Sequence, residues 1–240
     1  MGLRLVQVNV KAGDDVALGR FWADALGWEV DTEEPGVSNI EPVGFDWPHP
    51  SAVCVDFVAV PDPTAVRHRA HLDLGTSSDA HHAELVARLT ALGATPVDAD
   101  VPWTVLADPE GNVFCVREPR EGDTGPIAAV VVDCADPHAM AAFWGEATAW
   151  VVHEETGDRA RLRAAENMGP YLEFLRVPHL KTTAHRVHID LLPNPVDAKA
   201  AELARLEALG AKPADVGQGD VPWTVMADPE GNEFCVLGRR

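Results

Sequence analysis

The sequence predicts an α+β protein in which one small unit is used repeatedly. Three observations carry this. A long motif occurs twice, short runs alternate apolar and polar residues, and apolar runs with helical spacing sit between them. The motif Val101–Val116 recurs 120 residues later as Val221–Val236, and only Leu106/Met226 and Val113/Glu233 differ. Other landmarks repeat in the same order. Phe21-Trp22 matches Phe143-Trp144, the run His68–Leu74 matches His185–Leu191, and Leu92-Gly93-Ala94 matches Leu209-Gly210-Ala211. The chain therefore reads as a tandem duplication, with one copy over 1–118, a polar Pro/Gly-containing linker over 119–125, and a second copy over 126–240.

Each element follows from local pattern. Leu5 to Val10 alternates like a strand with one buried face. Asp14 is placed to cap a helix carrying Ala17, Leu18, Phe21, Trp22, Ala25 and Leu26 on one face, and Gly27 ends it where a positive φ is cheap. In the second copy Asp136 caps, Pro137 takes the first turn, and Met140, Phe143 and Trp144 form the apolar face. Two or three strands follow in each copy, ending in Ala52–Val60 and in Tyr171–Val177. The scheme then restarts. Ala70–Leu74 is a short strand, and a helix near Asp79–Leu92 is closed by Gly93. Its counterpart opens at Asn194-Pro195 and is lined by Leu203, Leu206 and Leu209. Trp103–Ala107 and Val113–Arg117 form a hairpin around Asp108-Pro109-Glu110-Gly111-Asn112, with Pro at the first bend and Gly in the left-handed position. Residues 31–50 and 153–170 differ most between copies and read as pocket-shaping loops.

Composition narrows the function. The chain has 240 residues and a formal net charge of -19, which argues against a phosphate backbone or an anionic membrane as partner, since both require clustered Lys and Arg. No apolar run reaches the roughly 18–20 residues needed to span a bilayer. The N-terminal residues alternate like a strand and lack a signal-peptide pattern, so the expected compartment is the cytoplasm. Cys54, Cys115, Cys134 and Cys235 form no C-x-x-C pair and read as free buried thiols. No G-x-S-x-G, Walker or dinucleotide motif is present.

The ordered set Phe-Trp, His-x-Asp-Leu, Leu-Gly-Ala and Trp-Thr-Val-x-Ala-Asp-Pro-Glu-Gly-Asn-x-Phe-Cys, found twice, resembles the glyoxalase-like domains of the vicinal oxygen chelate superfamily. That superfamily also holds bleomycin-resistance proteins and extradiol dioxygenases. The resemblance implies paired βαβββ modules, a curved mixed sheet around a cup, and a small organic molecule as partner, in a monomer or a homodimer. Where members hold one divalent metal ion, its ligands come from the first and last strands of the modules. Carried over by position, these are Gln7, Asp56, His71 and Cys115 in the first copy, and Ala129, Glu173, His188 and Cys235 in the second.

The expected metal set is accordingly Gln7, Asp56 and His71, and the expected catalytic set is His71, Asp56, Glu173 and His188. Asp56 and Glu173 lie in apolar strands, where an unpaired carboxylate is costly, so each should meet water or a partner. His71 shares a strand face with Asp73, and His188 with Asp190, which suits a ligand or an ordinary buried pair. Trp103 and Trp223, Arg69 and Arg186, and Cys115 and Cys235 are the ligand-binding candidates, whereas Trp22 and Trp144 read as core. Two functions follow. One is a lyase or isomerase working in the polar cup of the first copy. The other is a metal-free protein that sequesters a drug-like or natural-product ligand.

Overall fold

The computed structural model describes residues 2–63, 69–119, 125–178, 181 and 185–238. His68 and residues 120–124 of the expected linker lie outside them. The first copy folds as β1 (Gly2–Ala12), α1 (Asp15–Leu26), β2 (Glu29–Glu34), β3 (Val37–Glu41), β4 (Cys54–Ala59), then β5 (Ala70–Leu74), α2 (Asp79–Leu92), β6 (Thr95–Pro96), β7 (Thr104–Ala107) and β8 (Val113–Val116). The second repeats this as β9 (Ile127–Cys134), α3 (Pro137–Thr148), β10 (Val151–Glu155), β11 (Arg159–Arg163), β12 (Tyr171–Arg176), then β13 (Val187–Asn194), α4 (Lys199–Ala208), β14 (Lys212–Pro213), β15 (Thr224–Ala227) and β16 (Glu233–Val236). The expected α+β class and the βαβββ modules are both present.

Several local expectations hold in detail. The Asp14 side chain accepts from the Ala17 amide, and Asp136 accepts from His138 and Ala139. Gly27 and Gly93 end their helices in the left-handed region. Two differ. Asn194-Pro195 leads into a short 3-10 turn, Val196–Ala198, and α4 begins only at Lys199 without a side-chain cap. The two or three strands expected after each first helix are present as β2–β4 and β10–β12, but the loops expected at 31–50 and 153–170 are shorter, since those segments contain most of β2, all of β3, most of β10 and all of β11. Their alternation is carried by charged and amide residues, so a search for apolar period-two runs passes over them.

Each module is a four-stranded sheet whose first strand would be left with one open edge. The edges are covered by pairing first strands. The first sheet has the order β14-β15-β16-β13-β1-β4-β3-β2, joined where β1 runs antiparallel to β13. The second has the order β10-β11-β12-β9-β5-β8-β7-β6, joined where β5 runs antiparallel to β9. Each sheet therefore takes one module from each sequence copy: the outer two modules build the first, the inner two the second. The repeat of the sequence and the sheet of the fold divide the chain differently, and this decides which candidate residues meet.

The helices cover one face of each sheet. Val8, Val10, Ile40, Val55 and Phe57 are buried on that side of the first sheet; Val130, Val132, Ala160, Leu162, Leu172 and Phe174 play the same part in the second. Both sets belong to one contiguous apolar core. Period-two alternation sends the intervening residues to the opposite, cup-forming face.

Candidate functional site

Several of the most repeated residues tie the modules together. Asp108 accepts the indole N–H of Trp22 at 3.0 Å, the side-chain amide of Asn112 at 2.7 Å, and the backbone amides of Glu110 and Asn112. Asp228 does the same for Trp144, Asn232 and Glu230. Burial raises both carboxyl groups above the ordinary aspartate range, against these hydrogen bonds. Trp22 meets Phe114 edge-on with ring centres 4.9 Å apart, and Trp144 meets Phe234 at 5.1 Å. Glu110 accepts from the Gly13 and Asp14 amides and from Arg186; Glu230 accepts from the Ala135 and Asp136 amides. The doubled motif is thus a fastening between the turn of one module and the helix entrance of another. The core reading of Trp22 and Trp144 agrees with this.

The cup of the first sheet is rich in amides and carboxylates. Gln7, Asn9 and Lys11 alternate toward it from β1, and Asn39 and Asp56 from β3 and β4. The carboxylate of Asp56 accepts from the side-chain amides of both Gln7 and Asn39. Asp190 accepts from Asn9 at 2.6 Å. Burial, with Asp56 nearby, pushes the Asp190 carboxyl up to about 7, despite hydrogen bonds from Cys235 and Asn9. His188 donates through Nε2 to the His185 carbonyl at 3.0 Å, and burial draws its pKa down to about 4, leaving a neutral imidazole. Burial and the Asp190 charge raise the Cys235 thiol.

The cup of the second sheet is built on the same frame with different chemistry. Glu173, at the position of Asp56, lies 3.1 Å from Arg159 Nε and 2.9 Å from Arg161 Nε. Both arginines also approach Glu154, at 3.7 and 3.6 Å. The Arg161 guanidinium lies 4.1 Å from the Tyr171 ring centre, and that of Arg163 lies 5.0 Å from it. On the facing module, Arg117 is 3.4 Å from Asp73 and 4.0 Å from the Trp103 ring. His71 Nε2 is 3.4 Å from Asp73. Burial alone would lower the His71 pKa, but hydrogen bonds and charge from Asp73 and Cys115 outweigh it and push it up to about 10. At the Gln7 position stands Ala129, which is buried and has no donor atom.

The structure redistributes the residues singled out in the sequence. Gln7 and Asp56 share the first cup with His188 and Cys235. His71 and Cys115 share the second with Glu173 and Ala129. The expected metal set of Gln7, Asp56 and His71 is not assembled, because β1 pairs with β13 and not with β5. Arg186 is almost wholly buried and donates to the Lys11 and Glu110 carbonyls and to the Glu110 carboxylate. Arg69 donates to the Asp133 carbonyl, the matching strand position. Both serve the framework. Trp103 belongs to the second cup through Arg117, while Trp223 is exposed. Sequence reading missed Arg159, Arg161, Arg163 and Tyr171. Their signal was present in Arg159-Ala160-Arg161-Leu162-Arg163, a strand that alternates guanidinium and aliphatic side chains.

The carboxylates at the inherited ligand positions of both cups already have protein partners. In the first, both oxygens of Asp56 face amide N–H groups, and His188 turns Nε2 to the backbone. In the second, a cation would meet guanidinium groups on both sides of Glu173. Among the described residues, His71, Asp73 and Cys115 bring three ligand-type atoms within 4.8 Å of one another. There a metal would have to displace the proton of His71 and compete with Arg117 for Asp73.

The glyoxalase-like domain family matches the chain twice, over residues 7–117 and 129–237. A comparison with curated protein sequences finds no match. Among solved structures, glyoxalase I from Zea mays superposes with a TM-score of 0.69 at 15% identity, covering 99% of this chain and 92% of that one. A putative dioxygenase from Bacillus subtilis subsp. subtilis str. 168 gives 0.65 at 13% identity, covering 99% and 85%. At such identities the likeness shows the shared fold alone. The doubled family match, the four βαβββ modules and the two mixed sheets together show that the chain belongs to the glyoxalase-like domain family, with two copies in tandem.

Proposed function

We propose that the protein is a metal-free binder of a small organic molecule, which it holds in a cup of one of its mixed sheets. One observation carries this reading: the carboxylates at both inherited ligand positions are already engaged. Asp56 is held by the amides of Gln7 and Asn39, and Glu173 by Arg159 and Arg161. A cation would cost Asp56 its two amide hydrogen bonds, and at the buried Glu173 it would stand against two guanidinium groups already paired with that carboxylate. The second cup sets polar groups that can orient a ligand beside the rings of Trp103 and Tyr171, which is the usual make-up of a small-molecule site. No helix among the described residues is long and apolar enough to cross a membrane.

The test is elemental analysis of purified protein before and after soaking with Zn, Ni, Fe, Mn and Co. The expected result is no stoichiometric metal. One equivalent retained by the wild type and lost on Asp56→Ala or His71→Ala would overturn the reading. Recovery of a bound small molecule chemically changed would instead favour catalysis, with Asp190 and Asp56 as the acid–base pair of the first cup.

A further inference from the structure

We propose that the second cup is a site for a planar organic anion, a carboxylate carried on an aromatic ring, gripped by Arg159 and Arg161 on one wall and met by Arg117 and Trp103 on the other. This names the ligand class for one cup and rests on the metal-free reading above.

The argument begins with the two sheets as an internal comparison. Paired strands place Arg161 opposite Glu173 as they place Asn39 opposite Asp56. On the same strands Arg159, Arg161 and Arg163 therefore occupy the positions of Val37, Asn39 and Glu41. By the sequence repeat, Arg117 takes the place of Leu237. Framework positions such as Trp22/Trp144 and Asp108/Asp228 are retained in both copies. These four have all become guanidinium in one cup and in none of the matching positions of the other. That is unexpected for solvation of a chain whose formal net charge is -19 and which has only 19 Lys and Arg in total.

Acids are present in the second cup, but at different depths. Glu173 and Asp73 are buried beneath the arginines. Asp133 lies farther along β9, near His71 and Arg69. By contrast the side chains of Arg159, Arg161 and Arg117 keep 20%, 14% and 10% of their surface accessible. An entering molecule therefore reaches these guanidinium groups, together with His71 at 21%, before the buried acids. Among the described residues, the accessible carboxylate paired with these arginines is Glu154, 39% accessible and no closer than 3.6 Å to either, an ion pair without a hydrogen bond. A ligand carboxylate would displace it and form the shorter, forked contacts that guanidinium makes with carboxylate. The Tyr171 ring against Arg161 and the Trp103 ring against Arg117 hold the two guanidinium groups in place and add aromatic surface beside them for a planar ligand.

The experiment titrates the full chain with 2-naphthoate, with the neutral isostere 2-naphthamide and with inorganic phosphate, all in EDTA, by calorimetry. Expected are saturable one-to-one binding of naphthoate and at least tenfold weaker binding of naphthamide and phosphate. Arg159→Gln, and the charge-balanced pair Arg161→Gln/Glu173→Gln, should each weaken naphthoate at least tenfold. Arg161→Lys keeps the charge against Glu173 and should still lose several-fold. Asn39→Ala in the other cup should change nothing. Circular dichroism confirms that each variant is folded, and a lower-affinity curve from a folded variant is the supporting result. Equal binding of acid and amide, tighter binding of phosphate, loss on Asn39→Ala, or indifference to the arginine variants would each overturn the proposal. Metal content is measured separately, so failure of naphthoate leaves the metal-free reading standing. Naphthoate binding that appears only when zinc or nickel replaces EDTA would overturn that reading instead.

Discussion

Replacing Glu110 with alanine removes the partner of the most deeply buried guanidinium in the first sheet. The Arg186 side chain is 2% exposed and pairs with Glu110 at 2.8 Å. Glu110 also accepts from the Gly13 and Asp14 amides at 2.8–3.0 Å, and these open to water once the carboxylate is gone. The ion pair therefore dominates. Leaving a buried charge without its partner costs about 3–5 kcal/mol, and for a chain of this length each kcal/mol lowers the melting temperature by about 2–4 °C. Glu110→Ala should then melt about 6–20 °C below wild type by calorimetry. Adding Arg186→Met, which removes the stranded charge while keeping bulk, should recover much of the loss. A single-variant drop under 3 °C, or a double variant worse than the sum of the singles, would refute the view that this contact is a buried fastening between modules.

Trp22→Phe keeps the ring against Phe114 but deprives Asp108 of an indole N–H, which should cost about 1–3 kcal/mol by chemical denaturation. Asp190→Asn should alter the pH dependence of stability. The native pKa of about 7 is raised above the unfolded value, so the contribution of Asp190 is fully present below about pH 4 and lost as pH rises through 7, up to roughly 4 kcal/mol. The variant should therefore gain on wild type between pH 5 and 8, and parallel profiles would contradict this. His185 and His188, with lowered pKa values, act in the opposite sense in both proteins and cancel in the difference. Gly169→Ala places a Cβ 2.5 Å from the Pro50 carbonyl oxygen at a φ of +68° and should cost about 2–4 kcal/mol. Gly36→Ala, at a φ of +89° with open space around it, should cost only about 1 kcal/mol; equal melting shifts for the two would discount the clash.

The elements of the fold were legible because each rule involved is local. Asp14 and Asp136 announce helix starts, Gly27 and Gly93 their ends, and Pro-Glu-Gly-Asn the hairpin turns. The family pattern supplied the modules. The partnering of modules was not legible, since nothing within β1 distinguishes β13 from β5 as its neighbour. Pairing of open edges is settled by the whole assembly and not by the strand. That ambiguity scattered the expected metal set. The partners of Glu173 were hidden for a different reason: Arg159 and Arg161 stand on β11 of its own module, in a segment whose sequence resembles a loop. Arg186 read as a ligand contact because a sequence shows that a guanidinium lies beside His188, not that Glu110 reaches it from another module.

The crossing of copies between sheets also has an evolutionary reading in terms of symmetry. In a homodimer of a single repeat, both sheets would be images of each other under a two-fold axis. Every substitution would then appear in both at once, so a guanidinium gained in one would be imposed on the other. Covalent joining of the repeats lifts that constraint while retaining the same strand pairings. Asn39 and Arg161, or Gln7 and Ala129, are then free to differ, and one polypeptide carries two chemically unlike cups on a common scaffold.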